Sequence, residues 1–98
     1  MKKRDAMAAV ERHADELRGR GISHVYLFGS TARDRAGPES DVDLFFDLRR
    51  GAKFSLFDLL ELREFLGGVL KARADAIPRR GLHRVVRRNV ERNAVRVF

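Results

Sequence analysis

The apolar positions of the chain change their period several times, and each change marks an element. Between Lys3 and Arg18, Ala6, Met7, Val10, Ala14 and Leu17 recur at helical spacing, with Gly19 and Gly21 behind them as C-cap candidates. Ile22 to Phe28 reads as a first strand, and a short helix is expected from Ser30 to about Arg35. Ala36-Gly37-Pro38-Glu39 reads as a loop, and Val42 to Leu48 as a second strand, apolar enough to lie centrally in a sheet. After a turn at residues 49–53, Ser55 with Asp58 three residues on has the form of a capping box, opening a helix to about Lys71. Gly67-Gly68 is expected to end or kink that helix. Ala72 to Ile77 predicts a third strand stopped by Pro78, Leu82 to about Asn93 a helix, and Val95–Phe98 a short terminal strand. The order α, β, α, β, α, β, α predicts one α/β (α+β) domain over residues 1–98, a small mixed β-sheet with helices packed on it.

The chemistry sits at the joins of that pattern. Gly29-Ser30 follows the first strand directly, and Ser40-Asp41-Val42-Asp43 opens the second, Asp41 lying eleven residues after Ser30. Side chains alternate across a strand, so Asp41 and Asp43 point to one face and Val42, Leu44 and Phe46 to the other. Two carboxylates side by side repel each other unless a divalent cation or a proton lies between them. Asp75, between Ala74 and Ala76, would be costly as an unpaired buried acid. If the third strand lies beside the second, Asp75 joins the pair as a third carboxylate; otherwise it forms a salt bridge with Arg73 or Arg79. Three acids on neighbouring strands can hold two Mg²⁺ or Mn²⁺ ions, the arrangement used for in-line displacement at phosphorus.

Gly29 and Ser30 read either as a tight turn with a helix cap or as a backbone cradle for phosphate oxygens. Arg33, one turn on, is placed to contact phosphate or to bridge to an acid. Ser40 is expected to order its loop through backbone bonds. Asp34, Glu39 and Asp47 read as loop or far-strand acids, and Asp58, Glu61 and Glu64 as the polar face of a helix. His13, His24 and His83 have no companions at metal-ligand spacing. Tyr26, Phe45, Phe46, Phe54, Phe57 and Phe65 read as core.

Composition narrows the class. The 98 residues are 44% apolar and 36% charged, the balance of a globular chain. No apolar run approaches the ~20 residues needed to span a bilayer. The basic start, Met1-Lys2-Lys3-Arg4-Asp5, is followed by no apolar signal segment, and cysteine is absent; the expectation is a cytoplasmic protein. Of the net charge of +7, residues 79–98 carry +6, from seven arginines and Glu91. That density suits polyphosphate, nucleic acid, an acidic protein or simply a solvated helix face.

Gly29-Ser30-Thr31-Ala32-Arg33 through Ser40-Asp41-Val42-Asp43-Leu44 resembles the signature of the nucleotidyltransferase superfamily related to DNA polymerase beta. The chain length resembles its minimal nucleotidyltransferase (MNT) branch, which includes MntA-type antitoxins. The resemblance implies that Gly29 and Ser30 hold the nucleoside triphosphate, beside which Arg33 is a candidate contact, and that Asp41, Asp43 and Asp75 bind two Mg²⁺ ions, with Asp75 nearest the attacking hydroxyl. It implies transfer of AMP from ATP to a hydroxyl, commonly a tyrosine of a HEPN-domain ribonuclease toxin. The chain departs from the pattern at Asp34, where the family usually has glycine; this implies an altered helix exit or a negative charge near phosphate. Two other functions remain consistent with the residues. One is a non-catalytic module masking a toxin with its basic C-terminal helix; the other acts on RNA through the same arginines. Transfer to a small molecule is disfavoured, because no second domain is available to form its pocket.

Overall fold

The computed structural model describes residues 1–34, 37 and 41–98. Its elements are α1 (Lys3–Glu11), α2 (Ala14–Gly19), β1 (Ile22–Phe28), α3 (Gly29–Ala32), β2 (Val42–Leu48), α4 (Leu56–Leu70), β3 (Ala74–Pro78), a 3₁₀ turn (Arg79–Gly81), α5 (Arg84–Asn93) and β4 (Val95–Arg96). The sheet order is β3-β2-β1-β4; β1 pairs antiparallel with β2 and β4, and β2 pairs parallel with β3. The mixed sheet with packed helices is the architecture expected from the sequence. The short helix runs Gly29–Ala32 and ends well before Arg35, because Arg33-Asp34 form a turn with Asp34 at the left-handed φ of +59°. The loop expected at residues 36–39 and the role given to Ser40 lie outside the described residues, Gly37 apart.

One sheet face builds the core. Val25 and Leu27 of β1, Val42, Leu44 and Phe46 of β2, and Ala74 and Ala76 of β3 meet Ala6, Val10 and Leu17 of α1–α2 and Leu62, Leu66 and Leu70 of α4. The three α4 leucines recur every fourth residue, and this buried seam carries the helix through Gly67-Gly68 without a break. The capping box forms as expected: the Asp58 N–H donates to Ser55 Oγ at 3.2 Å, and the Ser55 N–H donates to Asp58 Oδ2 at 2.7 Å. Lys71 takes a left-handed conformation, φ +53°, which delays β3 to Ala74, two residues later than expected.

The first helix also differs from its expected single run. It breaks at Arg12-His13, where His13 packs edge-on against Phe65, ring centroids 5.6 Å apart. Gly21, at φ +97°, then turns the chain into β1. The second sheet face carries Tyr26 stacked on Phe45, centroids 4.7 Å apart, with Phe28 beside them. Arg79 lies over both stacked rings and ties α5 to this face through Glu91. Phe57 is a correction: it is 76% exposed, outside the core it was assigned to.

Candidate active site

Asp43 is the fixed point of the site. Its strand position pairs with Phe28 of β1 on one side and with Asp75 of β3 on the other. In a parallel pair, residues in register project to the same face about 4.8 Å apart, so Asp43 and Asp75 are neighbours. Asp41 precedes β2 by one residue and is near enough for its charge to act on Asp43. The sequence left open whether β3 lies beside β2, and it does.

Gly29 is required where it stands. Its φ of +73° is left-handed, and a Cβ there would lie 2.5 Å from Asp43 Oδ2. The carboxylate therefore lies against the bare backbone of the Gly29 turn. The first N–H groups of a helical turn have no acceptor within it, and among the described residues those of Ser30 and Thr31 show no backbone acceptor outside it. Ser30 follows in that turn. Arg33 is exposed just beyond it and makes no ion pair with another described residue. The adjacent Thr31 is fully buried, and its hydroxyl has no hydrogen-bond partner among the described residues.

The electrostatics match that geometry. The Asp43 carboxyl titrates above the ordinary aspartate range, first because it is half-buried, then because of Asp75 and Asp41. Asp75 and Asp41 stand further out, with side chains 56% and 46% exposed. Asp75 is thus not the buried acid expected from its alanine neighbours, because β3 is an edge strand. Neither does it pair with Arg73 or Arg79. Its cation is Arg63 of α4, at 3.8 Å, whose Nε is held by the Ala76 carbonyl at 2.8 Å. Arg73 approaches Asp41 at 3.9 Å instead, and Arg79 is spent on Asp47 and Glu91. The role of Arg63 has no sequence signal; only the packing of α4 along the sheet edge brings it there.

Among the described residues, no three His, Cys, Asp or Glu side chains close on a single point as they stand. Asp41 and Asp75 are each drawn toward an arginine, while Asp43 is kept back by Gly29 and the sheet. The chemistry of the three candidates nevertheless suits a hard divalent cation: each offers carboxylate oxygens, and burial with the neighbouring Asp75 and Asp41 disfavours the Asp43 anion.

The remaining candidates separate clearly. Asp34 has the left-handed φ of +59°, which explains why glycine suits the position, and aspartate is among the side chains that tolerate it. Its carboxylate accepts from the Lys3 N–H at 2.9 Å, so it caps α1. Asp47 is structural, bonded by Arg79 at 2.7 and 3.0 Å. Nδ1 of His83 caps α5 by accepting from the Val85 N–H at 3.2 Å. A cavity of 390 Å³ opens between Phe46, Leu48, Pro78, Arg80 and Arg87, at the opposite end of β2 from Asp43. No helix among the described residues is long and apolar enough to cross a membrane.

The mixed sheet thus presents carboxylates on two adjacent strands beside a glycine turn. The family model for the nucleotidyltransferase domain matches residues 10–97, and the chain belongs to that family. It is 35% identical over 86 residues to the protein adenylyltransferase MntA of Thermococcus cleftensis, covering 87% of this chain and 85% of that one. A solved minimal nucleotidyltransferase superposes with a TM-score of 0.80 at 33% identity, over 97% of this chain and 95% of the other. The MNT antitoxin fold also recurs at 19% identity, TM-score 0.66, in a complex with the tri-AMPylated HEPN toxin of Shewanella oneidensis, over 94% of this chain and 71% of that one. At that identity the likeness is one of fold.

Proposed function

We propose that this nucleotidyltransferase transfers AMP from ATP to a hydroxyl of a partner protein, a tyrosine of a HEPN-domain toxin, and thereby acts as its antitoxin. The observation that carries the reading is Asp43, in register with Asp75 and pressed against the Gly29 turn. The protein acceptor is supported by the activity of the Thermococcus relative and by the AMPylated toxin in the Shewanella complex.

The roles follow from position. The backbone of Gly29 and Ser30 holds the triphosphate, and Arg33, exposed beside it, steadies the outer phosphates. Asp41, Asp43 and Asp75 would hold two Mg²⁺ or Mn²⁺ ions, which would supply positive charge to offset the charge building up on the phosphate oxygens. Asp75, on the edge strand and most open to solvent, takes the proton from the acceptor hydroxyl. That oxygen forms a bond to the α-phosphorus as the bond from the α-phosphorus to its bridging oxygen breaks, and pyrophosphate leaves. Asp34 is no obstacle, because its carboxylate is engaged by the Lys3 N–H.

The test is intact-mass spectrometry of the HEPN-domain partner co-expressed with wild type or with Asp41→Asn/Asp43→Asn. One or more added AMP masses with the wild type alone is the expected result. A partner that co-purifies unmodified with both versions would sink the transferase reading in favour of masking by contact.

A further inference from the structure

Helix α5 runs ten residues without burying one of them. Its attachment comes from its margins: Leu82 is buried just before it, and Glu91 bonds Arg79. Arg84, Arg88 and Arg92 recur every fourth residue, so they line up along one side of the helix, and all three are exposed. The nearest acid on the helix, Glu91, is already taken by Arg79 and by Arg87 at 3.5 Å. Among the described residues the three stripe arginines have no ion pair. Beside them Val85 stands 81% exposed and Val86 47%.

Like charges in a row raise the energy of the free helix, and β-branched aliphatics in water add to it. A surface that keeps both is complementary to something carrying acids around an apolar centre. Nucleic acid would meet only half of that description. Phosphates would suit the arginines, but the residues between them offer a base no aromatic ring to stack on. The rings of Tyr26 and Phe45 lie in the sheet beneath Arg79.

The helix is also placed for use. Because alternate residues of β2 share a face, Asp43, Phe45 and Asp47 project to the side on which Arg79 and α5 lie. We infer that Arg84, Arg88 and Arg92, with Val85 among them, form the docking surface for the acceptor protein, meeting an acidic patch on it. The acceptor is thus gripped on the same sheet face that carries Asp43. This rests on the reading that the acceptor is a protein, and it gives the domain a means of holding that acceptor on the face of its carboxylates.

The test compares wild type with Arg84→Glu/Arg88→Glu/Arg92→Glu and, separately, with Val85→Ser. Circular dichroism of each variant first establishes that the fold is intact, as expected for solvent-facing positions. The triple reversal should raise the KM for the HEPN-domain partner at least about tenfold and flatten its salt dependence, leaving kcat at saturation and the KM for ATP unchanged. Val85→Ser should raise the same KM by a smaller factor. An unchanged partner KM in the triple variant overturns the proposal. Fluorescence anisotropy with a single-stranded RNA oligonucleotide forms the second arm. RNA binding that disappears in the triple variant while the partner KM stays put assigns the stripe to RNA instead. The two readings fail separately: binding through α5 without AMP transfer removes the transferase, and AMP transfer indifferent to α5 removes the docking surface.

Discussion

Asp43 is held in a place where a carboxylate is unwelcome, and the cost has a definite sign. Its pKa is raised in the fold, by burial first and then by Asp75 and Asp41. The group therefore contributes stability that is fully present below its unfolded pKa and is lost as pH rises through the higher folded value. Near neutral pH and without divalent cations, Asp43→Asn should raise the melting temperature. Solvent screening keeps the gain below ~1 kcal/mol, a few degrees in a domain of this size. The gain should shrink as pH falls through the carboxylate range, and Mg²⁺ should stabilise the wild type more than the variant. Differential scanning fluorimetry across pH checks all three, and a variant that melts lower at pH 7 sinks the argument. Gly29→Ala attacks the same contact from the other side. The left-handed φ and the 2.5 Å approach to Asp43 Oδ2 should cost about 1–3 kcal/mol and abolish transfer. Gly29→Ala/Asp43→Ala should recover part of the stability and none of the activity, a non-additivity that a denaturant titration can measure. Asp43, Asp41 just before β2 and the Gly-Ser turn could be read from the sequence because strand alternation and turn chemistry are local rules. Arg63 could not, since it reaches Asp75 only across a helix-to-strand packing that no local pattern encodes.

At the scale of elements, the strands were the most legible part of the chain. β1 and β2 begin and end where the apolar runs do, because both are central strands covered on at least one face. Helix α4 was legible at its start, where the capping box is a two-residue device, and misleading at its end. Local propensity makes Gly67-Gly68 a weak point, but the seam of Leu62, Leu66 and Leu70 overrides it. The pair therefore offers a stabilising substitution. A Cβ on Gly68 meets nothing within 4 Å, whereas one on Gly67 comes to 3.4 Å from the Ala72 carbonyl oxygen. Gly68→Ala should stabilise by about 0.5–1 kcal/mol, and Gly67→Ala by less, as read from urea midpoints. Equal effects at the two positions would mean that the contact to Ala72 does not matter. The break between α1 and α2 stayed invisible for the opposite reason. It has no glycine or proline to announce it, only a histidine seated against Phe65 from another helix.

The whole molecule divides into a well-packed layer and a lightly attached helix. The core lies between one sheet face and α1, α2 and α4, while α5 has no fully buried residue and is held at its margins by Leu82 and Arg79. That guanidinium joins three parts of the chain: it bonds Asp47 of β2, bonds Glu91 of α5 and covers the Tyr26 and Phe45 rings. Its pKa is pushed further up, chiefly by the hydrogen bond to Asp47, against desolvation and with help from Glu91, so it stays charged at any working pH. Regions with few buried contacts open more readily than the core, and α5 should be the first to do so. Arg79→Met keeps the apolar stem and removes the fork, leaving the half-buried Asp47 unpaired and Glu91 with Arg87 alone. The expected loss is about 2 kcal/mol, with hydrogen exchange rising across residues 84–93 well before it rises in β1 and β2. Arg79→Lys should fall between the two, since a single ammonium cannot hold Asp47 and Glu91 at once. If exchange instead rises uniformly through sheet and helix, Arg79 belongs to the core and α5 is not a separable unit. If α5 opens alone, the basic docking face can loosen without disturbing Asp43, and acceptor affinity becomes adjustable independently of the chemistry.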